Sequence, residues 1–171
     1  MTDSRRPPLL PRLISTTLGA GYWPWGPGTA GAVAGLAVWM PLTLIASPAA
    51  VAGITAALIV IFTALGVWSA TVVERYWGED PSRVVMDETV GQWITMLPLA
   101  VYATGPGALA CGRLWIAAAI SLALFRFFDI VKPLGVRRME ALPSGWGVMA
   151  DDILAGIYGG ILMLIINTWL L

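Results

Sequence analysis

The chain of 171 residues contains no histidine, and its only cysteine is Cys111. The first absence removes imidazole bases, imidazole metal ligands and phosphohistidine chemistry together. The second leaves no disulfide framework and no cysteine metal cluster, and Cys111 itself lies in an apolar run. Charge is also scarce: Asp, Glu, Lys and Arg make up 12% of the residues, about half the share in a typical soluble domain. Basic and acidic residues balance at 10 each, so nothing suggests nucleic-acid binding. Any chemistry must use carboxylates, hydroxyls, Lys and Arg.

Apolar residues take up what charge leaves. Hydrophobic residues make up 58% of the chain, and the mean hydropathy is +0.79. A soluble surface is hard to build from such a composition. Nine Trp and nineteen Gly suit a bilayer, where Trp marks interfaces and Gly lets helices approach. The length suits a single membrane-embedded domain over residues 1–171. Residues 1–12 form a polar, Pro-broken tail that does not read as a signal peptide.

No charge occurs between Arg12 and Glu74, a gap long enough for two membrane spans of about 20 residues. The expected architecture is all-α and polytopic, with about five transmembrane helices and an N-terminal interfacial segment near residues 9–20. The spans are placed at Thr29 to Ala46, Ala50 to Val73, Val85 to Ala103, Ala108 to Phe128 and Ala150 to Leu170. With the N-terminus inside, the inside segments hold Arg5, Arg6, Arg12, Arg75, Arg83, Arg126, Lys132, Arg137 and Arg138, and the outside segments hold only Arg113. That asymmetry places the basic face in the cytoplasm. Gly31-x-x-x-Gly35 and Gly156-x-x-x-Gly160 permit close helix packing, expected within one subunit. No feature specifies an oligomeric state.

This topology puts Asp87 and Glu88 at the start of the third span, Asp129 at the end of the fourth, and Asp151 and Asp152 at the start of the fifth. All five carboxylates then share one membrane face. For four of them N-terminal capping is the plain alternative. Asp129 sits at a C-terminus, where the helix dipole disfavours a negative charge, and its alternative is a local salt bridge with Arg126 or Lys132, three residues away on either side. Asp87 shares a helix face with Gly91 and Thr95, and Asp152 with Gly156, so these two acids are expected to face inward. Glu88 and Asp151 would be further ligands or their supports.

Clustered carboxylates need a counter-charge, and oxygen-only ligation suits Mg²⁺. Mg²⁺ beside Arg126, Lys132 and Arg137 suits phosphoryl chemistry. The loop Gly26-Pro27-Gly28-Thr29 lies at the same face and could offer N–H groups and a hydroxyl to a phosphate, although Thr29 could equally be a simple N-cap. An ion- or proton-translocating protein is the alternative, because intramembrane acids often mark ion paths. The acids gather at one face only, which counts against it.

Four blocks resemble signatures of the bacterial phosphatidylglycerophosphatase A family, in the family's order. They are Gly19-Ala20-Gly21 with Pro27-Gly28-Thr29-Ala30-Gly31, Met86-Asp87-Glu88-Thr89-Val90-Gly91-Gln92-Trp93-Ile94-Thr95, Phe125-Arg126-Phe127-Phe128-Asp129-Ile130-Val131-Lys132-Pro133, and Gly147-Val148-Met149-Ala150-Asp151-Asp152-Ile153-Leu154-Ala155-Gly156. The resemblance implies a Mg²⁺-dependent lipid phosphatase of the inner membrane that converts phosphatidylglycerophosphate to phosphatidylglycerol. It implies site residues Thr29, Asp87, Glu88, Arg126, Asp129, Lys132, Asp151 and Asp152. Two mechanisms stay open: attack by a water activated at the cation, with a carboxylate as base, or attack by an Asp to form a phospho-aspartyl intermediate. Cysteine phosphatases, histidine-dependent lipid phosphatases and Asp-x-Asp phosphatases all lack their required residues here.

Overall fold

The computed structural model describes residues 6–102, 112–133 and 135–170. Every regular element among them is helical. A short helix α1, Leu9–Ser15, precedes a 3₁₀ turn at Ala20–Tyr22. Long helices α2, Pro27–Ile45, and α3, Pro48–Trp77, follow. Next come α4, Met86–Met96, a 3₁₀ stretch at Leu97–Tyr102, and α5, Gly112–Val131. The four-residue α6, Val136–Met139, leads into α7, Gly145–Leu170.

Four of these helices are long and apolar enough to cross a membrane: α2, α3, α5 and α7 over Gly145–Thr168. The chain is a polytopic helical membrane protein, and among the described residues these four helices are each long enough to cross alone. The third expected span, Val85 to Ala103, contains an α-helix of only 11 residues. At 1.5 Å per residue that covers about 17 Å, and the six 3₁₀ residues that follow, at about 2 Å each, bring the segment close to the thickness of a hydrocarbon core. Pro98 accounts for the stop: it has no N–H to donate, and inside an α-helix its ring would clash with the carbonyl of Ile94. The chain tightens into the 3₁₀ form one residue earlier. Ala103, residues 108–111 of the expected fourth span and Arg5 lie outside the described residues.

The short helix is the centre of the molecule. Nine of the 11 residues of α4 are buried, and α4 packs against α2, α3, α5 and α7. Small residues make those contacts close. A Cβ at Gly31 would lie 2.6 Å from the Val85 carbonyl, and one at Gly35 3.1 Å from the Thr89 carbonyl. A Cβ at Gly156 would lie 2.5 Å from the Gly91 carbonyl. Both glycine patterns therefore seat neighbouring helices on α4 within the chain. Polar side chains lock the same contacts: Trp93 donates to the Gly35 carbonyl at 2.9 Å, and Thr95 to the Gly156 carbonyl at 3.2 Å.

The N-terminal segment lies over the start of α4. Val85 donates its N–H to the Ser15 carbonyl at 2.8 Å, and Thr17 and Thr89 hydroxyls bond at 2.9 Å. Leu9, Leu10, Leu18, Trp23 and Trp25 are left exposed, as suits a segment at a lipid interface.

Candidate metal and phosphate site

Asp87 and Glu88 occupy the first turn of α4, as the sequence predicts. Asp151 and Asp152 do not start their helix. Helix α7 begins at Gly145, so both acids sit in its second turn. The free N–H groups of a helix belong to its first turn, so capping gives no account of this pair. Asp87, Asp151 and Asp152 are each more than nine-tenths buried.

The α4–α7 crossing brings the two helices' acids together. Asp87, Glu88 and Asp152 each offer a carboxylate oxygen, and these oxygens lie within 4.8 Å of one another. Backbone contact at Gly91 makes this spacing reachable: a Cβ there would lie 2.7 Å from the Asp152 carbonyl. Asp87 Oδ1, Glu88 Oε2 and Asp151 Oδ1 are buried without a hydrogen-bond partner. Buried oxygens left in this state are costly unless something else satisfies them. A hard divalent cation fits this set, which is all oxygen and anionic.

Helix α5 adds the counter-charges. Arg126 Nη1 lies 2.5 Å from Asp129 Oδ2 and 3.9 Å from Glu88 Oε1. The local Arg126–Asp129 salt bridge therefore forms, and it reaches across to α4. Arg126 Nε is buried with no hydrogen-bond acceptor, which leaves this donor for an anion. Gly28 makes room for the pair: a Cβ at that position would overlap Glu88 Oε1 and come 2.8 Å from Arg126 Nη1.

Lys132 departs from the helical spacing read from sequence. Helix α5 ends at Val131, and Lys132 takes a left-handed conformation with φ of 49°. Its side chain bonds Asp151 Oδ2 and Glu140 Oε1, both at 2.6 Å, and makes no shared face with Asp129. Burial alone would lower the Lys132 ammonium, but the hydrogen bonds and charges of Asp151 and Glu140 outweigh it and hold Lys132 above the ordinary lysine range.

These residues line one cavity of about 650 Å³. Its wall carries Asp87, Glu88, Arg126, Asp129, Lys132, Asp151 and Asp152, with Gly26 to Gly28 at one edge. Thr29 and Arg137 are placed differently: both are exposed, and neither lines the cavity. The α2 N-cap is Gly26, with Pro27 at the first helical position, so Thr29 is not the cap. The sequence reading missed Glu74 and Glu140, which also line the cavity. Glu140 lies eight residues beyond Lys132, with Pro133 and a break in the helix between them, so no helical spacing pairs them.

The chain is similar throughout to known proteins. The family model for phosphatidylglycerophosphatase A matches residues 13–167. A Bacteroides thetaiotaomicron protein, provisionally named a phosphatidylinositol-3-phosphatase, is 48% identical over 160 residues, covering 93% of this chain and 94% of that one. Phosphatidylglycerophosphatase A of Haemophilus influenzae is 33% identical over 165 residues, covering 93% and 90%. That of Escherichia coli is 28% identical over 160 residues, covering 92% and 84%. No solved structure matches. With the family model spanning nearly the whole chain, and the matched region holding every carboxylate and cation of the cavity described above, this membrane protein belongs to the phosphatidylglycerophosphatase A family.

Proposed function

We propose that the chain is a Mg²⁺-dependent phosphatase that hydrolyses the terminal phosphomonoester of phosphatidylglycerophosphate to phosphatidylglycerol and inorganic phosphate. The observation that carries this reading is the meeting of Asp87, Glu88 and Asp152 beside Arg126 and Lys132 on one cavity wall. Five carboxylates against two cations leave the cluster acidic, which a phosphate alone would worsen. Asp87, Glu88 and Asp152 would hold the cation, with Asp129 and Asp151 beside them. The bound cation would supply Lewis-acid polarisation and charge neutralisation.

The chain's own residues divide the remaining work. Arg126 and Lys132 offset the phosphate's charge from the two sides given by α5 and the loop after it. A carboxylate of the cluster accepts a proton from the attacking water as its oxygen bonds phosphorus. The ester P–O bond breaks, and the headgroup oxygen leaves with the proton that this carboxylate took from the water. Basic residues at the same ends of the helices support a cytoplasmic orientation in a bacterial inner membrane. Ion translocation is less well supported, because the carboxylates cluster near one end of their helices.

A second substrate reading has one observation in its favour. The relative at 48% identity is named for a phosphatidylinositol phosphate, and it is more similar than the two phosphatidylglycerophosphatases described. The deciding experiment is phosphate release by purified protein in lipid micelles, with each lipid in turn. Release from phosphatidylglycerophosphate should be abolished by chelator and restored by Mg²⁺. Full activity in excess chelator after dialysis rules out the metal mechanism. Release from phosphatidylinositol 3-phosphate alone overturns the substrate.

A further inference from the structure

Lys132 is the only lysine of the chain, and two carboxylates hold it at once. Asp151, its partner on α7, has a side chain only 9% exposed, whereas Glu140 is 46% exposed. A lone pair as exposed as Lys132–Glu140 contributes little to stability. This pair is not alone, because the same ammonium continues to Asp151.

Both ends of the clasp are fixed by backbone. Lys132 leaves α5 in its left-handed conformation and is followed by Pro133, which fixes the exit of the chain. Glu140 is seated against the first turn of α7, where a Cβ at Gly147 would lie 2.6 Å from the Leu142 carbonyl and 2.9 Å from that of Glu140. The loop after α6 thus rests directly on the helix that carries Asp151. An ammonium has three N–H donors. Two are committed to Glu140 and Asp151, and one is left for a third acceptor in the cavity that all three residues line.

We propose that Glu140 is a positioning residue for the phosphate-binding cation. By sharing the Lys132 ammonium, Glu140 keeps it from closing into a one-to-one pair with Asp151. Held at two points, Lys132 directs its one remaining donor toward a phosphate oxygen, and Asp151 keeps its second oxygen unpaired. The proposal rests on the phosphatase reading above, but one arm of its test does not need activity.

The test compares Glu140→Ala, Glu140→Gln, Lys132→Met and the double variant Glu140→Ala/Lys132→Met. Glu140→Ala should lower kcat/KM about tenfold, the low end for removing an outer partner of a metal site. Glu140→Gln keeps an acceptor oxygen and should lose less. In the Lys132→Met background, Glu140→Ala should cost under about twofold, because its effect passes through Lys132. Separately, an amine-directed acylating reagent at fixed pH, read by peptide mass spectrometry, should modify Lys132 faster in both Glu140 variants than in the native chain. Activity of Glu140→Ala within about twofold of native, or an equal loss in the Lys132→Met background, overturns the proposal. Unchanged Lys132 labelling in a folded Glu140→Gln protein overturns it as well. If the native chain releases no phosphate, the phosphatase reading fails instead, and the labelling still decides whether Glu140 holds Lys132.

Discussion

Replacing Gly91 by Ala should damage the site from one turn further along its helix. Gly91 contributes no side chain to the cavity. Its role is to let α4 touch α7. An added Cβ would overlap the Phe125 ring and lie 2.7 Å from the Asp152 carbonyl. The ring has some freedom to turn, but the carbonyl belongs to helix backbone. Ordinary contact begins at 3.4 Å, so the helices must separate by about 0.7 Å to admit the methyl group. That movement is taken up between Asp87 and Glu88 on one side and Asp152 on the other. Mg²⁺ demands near-ideal octahedral geometry, and metal sites keep their distances within about 0.2 Å, so the shift exceeds the tolerance. Overpacking of this kind costs about 1–3 kcal/mol, which many folds survive. The expected result is a protein that still inserts but loses on the order of 10- to 100-fold in kcat/KM, with more Mg²⁺ needed for half-activation. Phosphate release across a Mg²⁺ titration measures both. Gly53→Ala is the matched control, since a Cβ there meets nothing within 4 Å. If Gly91→Ala matches Gly53→Ala in rate and Mg²⁺ requirement, the α4–α7 crossing does not set the site's geometry.

Two other outcomes test the site and its orientation. Asp87→Asn, Asp129→Asn and Asp152→Asn should insert normally yet lose at least about 100-fold in rate, the scale for removing one key electrostatic group. Asp129 is the most informative of the three, because its ion pair with Arg126 at 2.5 Å also admits a purely structural role. Near-native turnover of Asp129→Asn at saturating Mg²⁺ would remove α5's carboxylate from the chemistry. Single cysteines at Ser82 and Ser144, both on the cavity wall, should resist an impermeant thiol reagent in intact cells when placed in a Cys111→Ala chain. Labelling of both without permeabilisation would put the cavity outside the cytoplasm.

Composition was enough to read the membrane-embedded, all-helical class, because an apolar chain with so few charges can satisfy its backbone in lipid only by helices or a closed barrel. The placing of Asp87, Glu88 and Asp129 at helix ends likewise made the carboxylate cluster legible. The start of α7 was not legible: Gly145 to Met149 carry no strong helix signal, so the helix seemed to begin near the acids that in fact lie a turn inside it. Nor did hydropathy show that the helix from Met86 is enclosed by its neighbours, since it measures burial without distinguishing lipid from protein as the surroundings. The direction of Lys132 depended on one backbone torsion after α5, and its bond to Glu140 on a contact between two loop ends. Linear spacing fixes which residues share a helix face. Which faces meet is decided by where glycines let backbones touch, and in this protein that is α4 against α7 at Gly91 and Gly156.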